Sequence, residues 1–311
     1  MRKSVMRCVG ASLAAVAVLT GATGCGEGSG RAGGADEGSK AGAGNRGSGA
    51  GARTPEQAIT AAYKKTSAAK SAKVVMAVSA PAATGVSVKA KSSGVMGWNP
   101  SVADMVMERE STEGPSGGGR ERRTIRVSNV MYTKMEGAAK ATGKGWVKFD
   151  VLAAVKDSDD ARFLKQTTAE LEGMSDDPTR KLALLLYAPT IEDAGPEDIG
   201  GGRTEHYKGS FAAESVLSSP KKVAALTPER REQLLTNLKT KDIQEYAFDV
   251  WVNSADYPVR INTWMKSRQG VTTTSADFSD YGTRLAVQAP PADDTVDVAE
   301  LAVAARKQEL D

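Results

Sequence analysis

The sequence predicts an α+β protein built on an antiparallel sheet, and three observations carry this prediction. Short β-prone runs alternate between apolar and polar residues and are broken by Gly, Pro or Ser clusters, which is typical of a meander with one wet and one dry face. Two segments, at Thr54 and at Thr227, open with the same Thr-Pro-Glu triplet, which favours a helix start. Between the two groups of strands, Leu, Ala and Phe recur at helical spacing.

The first element is a helix that begins at Thr54. Thr54 suits the N-cap, Pro55 suits the first helical position, and Gln57 suits the far end of a capping box. Apolar residues then recur at helical spacing to about Lys70. We therefore expect this helix to lay one apolar face on the rest of the fold.

A run of strands follows, because the hydrophobic period changes to two after Lys70. A Gly-rich stretch at 115–119 predicts a loose hairpin connection within this run. The predicted strands are 74–78, 86–91, 95–98, 105–107, 124–127, 131–135 and 146–149.

The middle of the chain is predicted to be helical, and strands then resume. The Asp176-Asp177-Pro178 triplet signals one helix start, and turn chemistry at 253–258 predicts a hairpin. The predicted helices are 161–171, 179–187, 227–239 and, at the end of the chain, 298–309. The predicted strands are 204–209, 245–252, 259–265, 272–281 and 285–287.

The N-terminal stretch is typical of an export signal. Arg2, Lys3 and Arg7 precede an apolar run over 9–22, and small residues lead to Cys25. This arrangement resembles a bacterial lipoprotein signal, in which the chain is cut before the cysteine and the thiol is acylated. The alternatives are an ordinary secretory signal and an uncleaved membrane helix, for which the apolar run is shorter than the roughly 20 residues required.

Domain organisation follows from this signal and from the composition after it. Residues 26–52 contain no aromatic and no large aliphatic residue, so they predict a flexible tether with an average span of roughly 30 Å. The predicted parts are the signal peptide (1–24), the lipidated cysteine with its tether (25–53), one folded domain (54–292) and a C-terminal tail (293–311).

Composition excludes several classes of partner and of stabilisation. Without the three cations of the signal, the 41 Lys and Arg fall to 38, against 38 Asp and Glu. A neutral chain offers no general electrostatic case for binding nucleic acid. Cys8 and Cys25 are the two cysteines, so the mature chain keeps one thiol and forms no internal disulfide.

Residues typical of catalysis or metal binding are scarce. His206 is the single histidine, which excludes a multi-histidine metal site, and its alternating surroundings predict a solvent-facing strand residue. The acidic run 157–160 lacks the glycine and the closing glutamate of a calcium loop. The glycines at 200–202 lack the lysine of a phosphate loop and predict a turn. We therefore predict no catalytic residue, no metal and no cofactor.

The C-terminal hairpins carry a family pattern. Its parts are Asp249-Val250-Trp251-Val252, Asp256-Tyr257-Pro258-Val259-Arg260-Ile261, Asp277-Phe278-Ser279-Asp280-Tyr281-Gly282 and Ala289-Pro290-Pro291. With the strand series, they resemble actinobacterial cell-envelope lipoproteins of the LppX/LprA/LprF/LprG group, within the LolA/LolB-like half-barrel superfamily, over about Thr54 to Pro291. The resemblance implies a strongly curved, open antiparallel sheet with helices packed on its concave face.

The same resemblance implies a function. In this family the space between sheet and helices can hold acyl chains, although the same fold also serves in proteins not known to bind lipid. The resemblance therefore implies a non-enzymatic, membrane-anchored monomer on the extracytoplasmic face that binds or transfers a lipid or lipoglycan. The alternative is a structural lipoprotein whose half-barrel is filled by its own side chains and which docks another envelope protein. Methionine suits acyl chains and fills an ordinary core equally well. The candidate lining residues are Met76, Met96, Met105, Met107, Met131 and Met135.

Overall fold

The fold is given by a computed structural model of the chain. The predicted signal, the tether, the hairpin loop at 115–119, the helix at 161–171 and most of the terminal helix lie outside the residues that it describes. The described residues are 53–81, 87–110, 120–134, 143–150, 177–218 and 243–298, together with 153, 227, 228, 231, 232, 235, 236 and 238.

Strands make up most of the described chain. The helices are α1 (Pro55–Ala69), α2 (Pro178–Leu185) and α3 (Ala213–Ser218), with a 3-10 helix at Ala292–Asp294. The strands are β1 (Ser71–Pro81), β2 (Ser87–Trp98), β3 (Ser101–Glu110), β4 (Arg120–Val127), β5 (Val130–Lys134), β6 (Trp146–Asp150), β7 (Ile191–Ile199), β8 (Gly202–Ala212), β9 (Ile243–Asn253), β10 (Pro258–Ser267), β11 (Gly270–Ser279) and β12 (Thr295–Asp297).

All of these strands belong to one sheet, in the order β12-β6-β5-β4-β3-β2-β1-β11-β10-β9-β8-β7. Neighbouring strands are antiparallel, except that β12 runs parallel to β6. The sheet is curved and does not close, so β7 and β12 form its two edges. The predicted α+β half-barrel, with helices on the concave face, is therefore confirmed.

Helix α1 begins as its sequence predicts. The Thr54 hydroxyl accepts a hydrogen bond from the Gln57 backbone N–H at 3.2 Å, and the Gln57 side-chain oxygen accepts one from the Thr54 N–H at 3.0 Å. The helix ends at Lys70, whose φ of 64° is left-handed. Its buried face, which includes Ala58, Ile59 and Thr66, packs on the core. Reciprocal capping of this kind stabilises a helix start by about 1 kcal/mol.

The predicted start of α2 is also confirmed. Asp177 is the N-cap, and its carboxylate accepts hydrogen bonds from the Thr179 N–H at 2.8 Å and from the Thr179 hydroxyl at 2.6 Å. The described residues of the segment that begins at Thr227 are helical as well, and the Arg231 N–H donates to the Thr227 carbonyl at 3.0 Å.

Three strand predictions are wrong or incomplete. The strands predicted at 86–91 and 95–98 form one strand, β2, which continues through Gly94. At Gly94 the Asp104 backbone passes too close for a Cβ atom, so a glycine is required there. No strand forms at 285–287, where the chain is irregular. There the Leu285 side chain lies over Gly97, so close that a Cβ added at Gly97 would sit 2.7 Å from its Cδ1 atom.

Strand β7 was not predicted from the sequence. Its IEDAGPEDI run is acidic and contains both glycine and proline, which favour a loop. It forms a strand because it lies at the edge of the sheet, where proline costs no ladder hydrogen bond, and because a register shift between Asp193 and Gly195 absorbs the irregularity. The turn predicted at 200–202 joins β7 to β8, with positive φ at Gly200 and Gly201.

Candidate functional site

The concave face of the sheet is built from an unbroken set of cross-strand neighbours. Because alternate residues of each strand share a face, the cross-strand pairs identify which residues lie together. One row crosses from β8 to β4 through Tyr207, Val250, Ile261, Ala276, Met76, Ser92, Met107 and Arg122.

Burial falls along this row from one side of the sheet to the other. Val250, Ile261 and Ala276 are fully buried in the core with α1 and α2, whereas Met107 is 37% exposed and Arg122 is exposed. The concave face therefore has a covered half, from β8 to β2, and a half from β3 to β6 where apolar side chains still reach solvent.

The structure brings together five of the six candidate methionines. Met76, Met96, Met105, Met107 and Met131 all belong to the concave face by register. Met135 lies outside the described residues. Met96 is buried in the core, and Met76 and Met105 pack against it. Met96 therefore fills an ordinary core, Met76 and Met105 lie half-buried at its edge, and Met107 and Met131 lie in the half that keeps exposure.

Sequence reasoning missed three further residues of the β3 to β6 half. They are Phe149, Arg126 and Arg122. Phe149 pairs with Met131, which pairs with Arg126, and Arg122 lies four residues before Arg126 on the same face of β4. Phe149 is 37% exposed and Arg126 is half-buried. The signal that could have found them is alternation, since Phe149 and Arg126 lie within the predicted strands 146–149 and 124–127, whereas Arg122 lies just before the predicted start of its strand.

Tyr257 and Tyr281, which belong to the family pattern, meet at one end of the sheet. Their rings stack with centroids 4.4 Å apart, and the Tyr281 hydroxyl donates to the Pro258 carbonyl at 2.7 Å. Trp98 packs edge-on against Tyr281 and donates its indole N–H to the Thr66 carbonyl at 3.1 Å. Burial raises the pKa of Tyr281 well above its usual value. This cluster anchors α1 to the sheet, so these motif residues have a structural role.

A second aromatic cluster lies in the covered half. Tyr246 stacks on Phe248 with centroids 5.5 Å apart, and Phe211 packs against both rings. The Tyr246 hydroxyl points at the Met265 sulfur at 3.1 Å, which is a weak acceptor. Burial raises the pKa of Tyr246 to about 12, although the nearby Arg180 opposes the shift.

The prediction that His206 faces solvent is wrong, since the residue is only 8% exposed. Its Nε2 atom lies 3.0 Å from Asp249 and its Nδ1 atom lies 3.3 Å from Glu197. The ring also stacks on Trp251 at 4.1 Å, and the Trp251 indole N–H donates to Glu197 at 2.7 Å. The unpredicted edge strand β7 supplies Glu197, which explains why the sequence pattern did not reveal this burial.

Two shallow grooves lie on the outer face of the sheet, on either side of Trp264. One, of about 340 Å³, is lined by residues of β10, β11, β1 and β2, and the other, of about 410 Å³, by residues around β8 and β9. Trp264 is 37% exposed, and Val75 and Val271 on the same face are exposed by more than half. The outer face thus carries apolar surface without forming an enclosed cavity.

Neither a group of metal ligands nor a helix suited to span a membrane occurs in the described part of the chain. There, no three His, Cys, Asp or Glu side chains lie where they could hold one metal ion together. None of the helices in those ranges has the length and apolar character that a membrane span needs.

Comparisons with known proteins find relatives in Streptomyces and a similar solved structure from a mycobacterium. No family model matches it. It is 28% identical over 266 residues to an uncharacterized 31.2 kDa protein of Streptomyces griseus, with 80% of each chain covered. It is 25% identical over 182 residues to a putative lipoprotein of Streptomyces coelicolor, which covers 56% of this chain and 50% of the relative. Among solved structures it is similar to LprF from Mycobacterium bovis, with a TM-score of 0.43, 16% identity, and 76% of this chain and 97% of LprF covered. The predicted resemblance to this group is confirmed.

Proposed function

We propose that the protein is an extracytoplasmic lipoprotein that holds or passes an apolar ligand, a lipid or lipoglycan, on the concave face of its sheet. The observation that carries the proposal is the exposed apolar surface of the β3 to β6 half, where Met107 and Phe149 each keep 37% of their surface. Apolar side chains on a concave, partly covered face are typical of ligand sites.

The two halves of the concave face have different roles, one in stability and one in ligand binding. The covered half supplies stability, because its buried core ties α1 and α2 to six central strands. The β3 to β6 half supplies adaptable apolar surface, because Met105, Met107 and Met131 have flexible side chains. A ligand there would contact side chains whose burial the fold itself does not require.

Binding rather than catalysis is the role that these residues suit. Both ring nitrogens of His206 face carboxylates, so the single histidine is committed to Asp249 and Glu197 and is poorly placed to serve as a general base. The proposal therefore needs no reaction, no cofactor and no metal.

Anchoring through Cys25 is the second part of the proposal. The lipoprotein-like signal, the tether at 26–52 and the similarity to a putative lipoprotein support it. Replacement Cys25→Ser should move the protein from the membrane fraction to the soluble fraction. A Cys25→Ser protein that stays with membranes at its uncut mass would contradict the anchor.

Ligand binding is tested on residues 25–311 carrying Cys25→Ser, so that no acyl group is attached. Native mass spectrometry of protein from its own host should show co-purifying acyl species, and a fluorescent fatty acid should bind. We expect Phe149→Asp and Met107→Asp to weaken probe binding at least tenfold, because a carboxylate on the apolar face costs more than 1 kcal/mol against an acyl chain.

A matched control is Val75→Asp, which places the same carboxylate on an exposed position of the outer face. It should leave probe binding unchanged. The lipid proposal fails if host protein carries no acyl species and no probe binds, or if Val75→Asp weakens binding as much as the concave variants do.

The alternative function is docking of another envelope protein by a half-barrel filled with its own side chains. The observation that favours it is the apolar surface of the outer face around Val75, Trp264 and Val271. Cross-linking in cell envelopes should then capture one partner through Trp264, and Val75→Asp should abolish that capture while lipid extraction finds nothing bound.

A further inference from the structure

We infer that the ligand of the concave face is an anionic amphiphile, whose acidic head group binds Arg122 and whose apolar part lies on Met107 and the residues beyond it. This inference rests on the proposed function and specifies the class of ligand. It comes from an unequal distribution of charge between the two faces of the same strands.

The concave positions of β2 to β6 carry positive charge and no negative charge among the described residues. Among the concave positions whose side chains the structure describes, the two charged residues are Arg122 and Arg126, and the others are apolar, glycine or hydroxyl residues. Those concave positions are Ala90, Ser92, Gly94, Met96, Trp98, Ser101, Ala103, Met105, Met107, Arg122, Thr124, Arg126, Met131, Thr133, Val147 and Phe149.

The outer face of the same strands has both signs, and Arg123 and Lys148 lie in ion pairs there. Arg123 makes a two-pronged ion pair with Asp104, at 2.8 Å and 2.6 Å. Lys148 lies 3.9 Å from Asp150 and 3.7 Å from Asp297. The arginines of β4 therefore differ by face, since the outer one has a carboxylate within the fold and Arg122 has none among the described residues.

Arg122 is placed to bind the head of a ligand that lies on the apolar surface. It is exposed, and its direct cross-strand partner is Met107, so their Cβ atoms are about 5 Å apart. A planar guanidinium binds a carboxylate or phosphate through two parallel hydrogen bonds. The next ladder pair towards the strand ends joins Glu108 and Glu121, which belong to the outer face, so Arg122 is the charged residue beside Met107 on the concave face.

The orientation of the ligand follows from where the concave face is covered. Towards the other end of these strands, Met96 and Trp98 are buried beneath α1. The apolar surface between these ends runs from Met107 through Met105 to Met131 and Phe149. A head group at Arg122 therefore lies at the open rim, and the apolar chain runs inwards from it.

Arg126 lies about 13 Å further along β4, four residues from Arg122 on the same face. It is half-buried between Ala103 and Met131 on the neighbouring strands. Of these two arginines, Arg122 is the exposed one, so the head group is assigned to Arg122.

The test compares two fluorescent probes that share chain and fluorophore, pyrenyl-dodecanoate and pyrenyl-dodecanol, at about pH 8. The protein is residues 25–311 with Cys25→Ser, and the variants are Arg122→Gln and Arg123→Gln. We expect wild type to prefer the anionic probe, and Arg122→Gln to lose roughly tenfold in affinity for it alone, as loss of a charge-assisted hydrogen bond predicts. Arg123→Gln removes the same charge from the outer face and should leave both affinities unchanged.

Each outcome decides between the inference and the function on which it rests. If both probes bind wild type equally and Arg122→Gln changes neither, the ligand is apolar without a required charge, and the inference is wrong while the proposed function stands. If Arg123→Gln lowers anionic affinity as much as Arg122→Gln, the effect is general surface charge, which also overturns the inference. If neither probe binds wild type, the proposed function itself fails.

Discussion

At the scale of single residues, the burial of a side chain in this protein depends on which strands pair with its own. His206 shows this most clearly, because a lone polar residue in an alternating run ends between two carboxylates and an indole ring. Asp249, Glu197 and Trp251 come from two other strands, so no local pattern around His206 contains the information. Buried polar groups of this kind stabilise a fold only while all partners are present.

Tyr246 supplies a pH-dependent prediction. Burial raises the pKa of its phenol to about 12 in the folded state, above the ordinary value of 10.0. The unfolded chain then loses its phenol proton at lower pH than the folded chain does. Stability from this group is complete below pH 10 and is lost as the pH rises towards 12.

We therefore expect urea unfolding of the Tyr246→Phe variant to show less alkaline destabilisation than wild type, by about 1 kcal/mol between pH 8 and pH 11. Phenylalanine fills the same space against Phe248 and cannot ionise. Tyr132→Phe, on the outer face, is the control and should follow wild type. Equal alkaline losses in wild type and Tyr246→Phe would show that this phenol ionises as readily when folded as when unfolded.

Elements pack closely here because glycine leaves room for a neighbour. Helix α2 crosses β8 at Gly209, where an added Cβ atom would lie 2.6 Å from the Leu185 Cδ1 atom and 3.2 Å from the Ala188 Cβ atom. Leu185 is fully buried, so the helix cannot move away without opening the core. The side-chain-free position on β8 therefore sets the distance between helix and sheet.

Substitution Gly209→Ala should destabilise the protein by roughly 1–3 kcal/mol, the usual effect of overpacking a core. Chemical denaturation measures the change. Gly202→Ala, on the same strand, is the control, because the nearest atom to its added Cβ is 3.8 Å away, and its effect should stay within about 0.5 kcal/mol. If steric pressure from Leu185 is the cause, the pair Gly209→Ala with Leu185→Ala should cost less than the sum of the two single changes.

At the scale of the whole molecule, one continuous sheet carries both the buried core and the apolar surface on which we propose that a ligand binds. A ligand on the β3 to β6 half would bind the folded chain and not the unfolded one. We expect an anionic amphiphile at about 100 times its dissociation constant to raise stability by about 2.7 kcal/mol and the midpoint of thermal unfolding by on the order of 5 °C. Differential scanning fluorimetry measures this shift.

The same experiment on Phe149→Asp should show a much smaller rise, since its concave apolar surface is interrupted. Val75→Asp should rise as wild type does, because its added charge lies on the other face. A rise that is equal in all three proteins would indicate binding elsewhere on the molecule.

The predicted domain boundaries at 54 and 292 and the lipidation at Cys25 stay predictions.

The sequence by itself determined the elements whose causes are local. Thr54, Pro55 and Gln57 specify the start of α1, and Asp177 specifies that of α2, because a cap is made within four residues. Alternation predicted most strands, because in a half-exposed strand the apolar residues lie on the buried face and the polar residues on the exposed face. Alternation along one strand indicates which of its residues share a face, and the pairing with neighbouring strands brings the methionines of different strands onto the same face.

Only the tertiary structure decided the features that depend on neighbours distant in the chain. Strand β7 exists because β8 pairs with it, although its own residues favour a loop. His206 is buried because Glu197 and Trp251 come to it from β7 and β9. Which part of the concave face α1 and α2 cover depends on how distant segments pack, which no short stretch of sequence encodes.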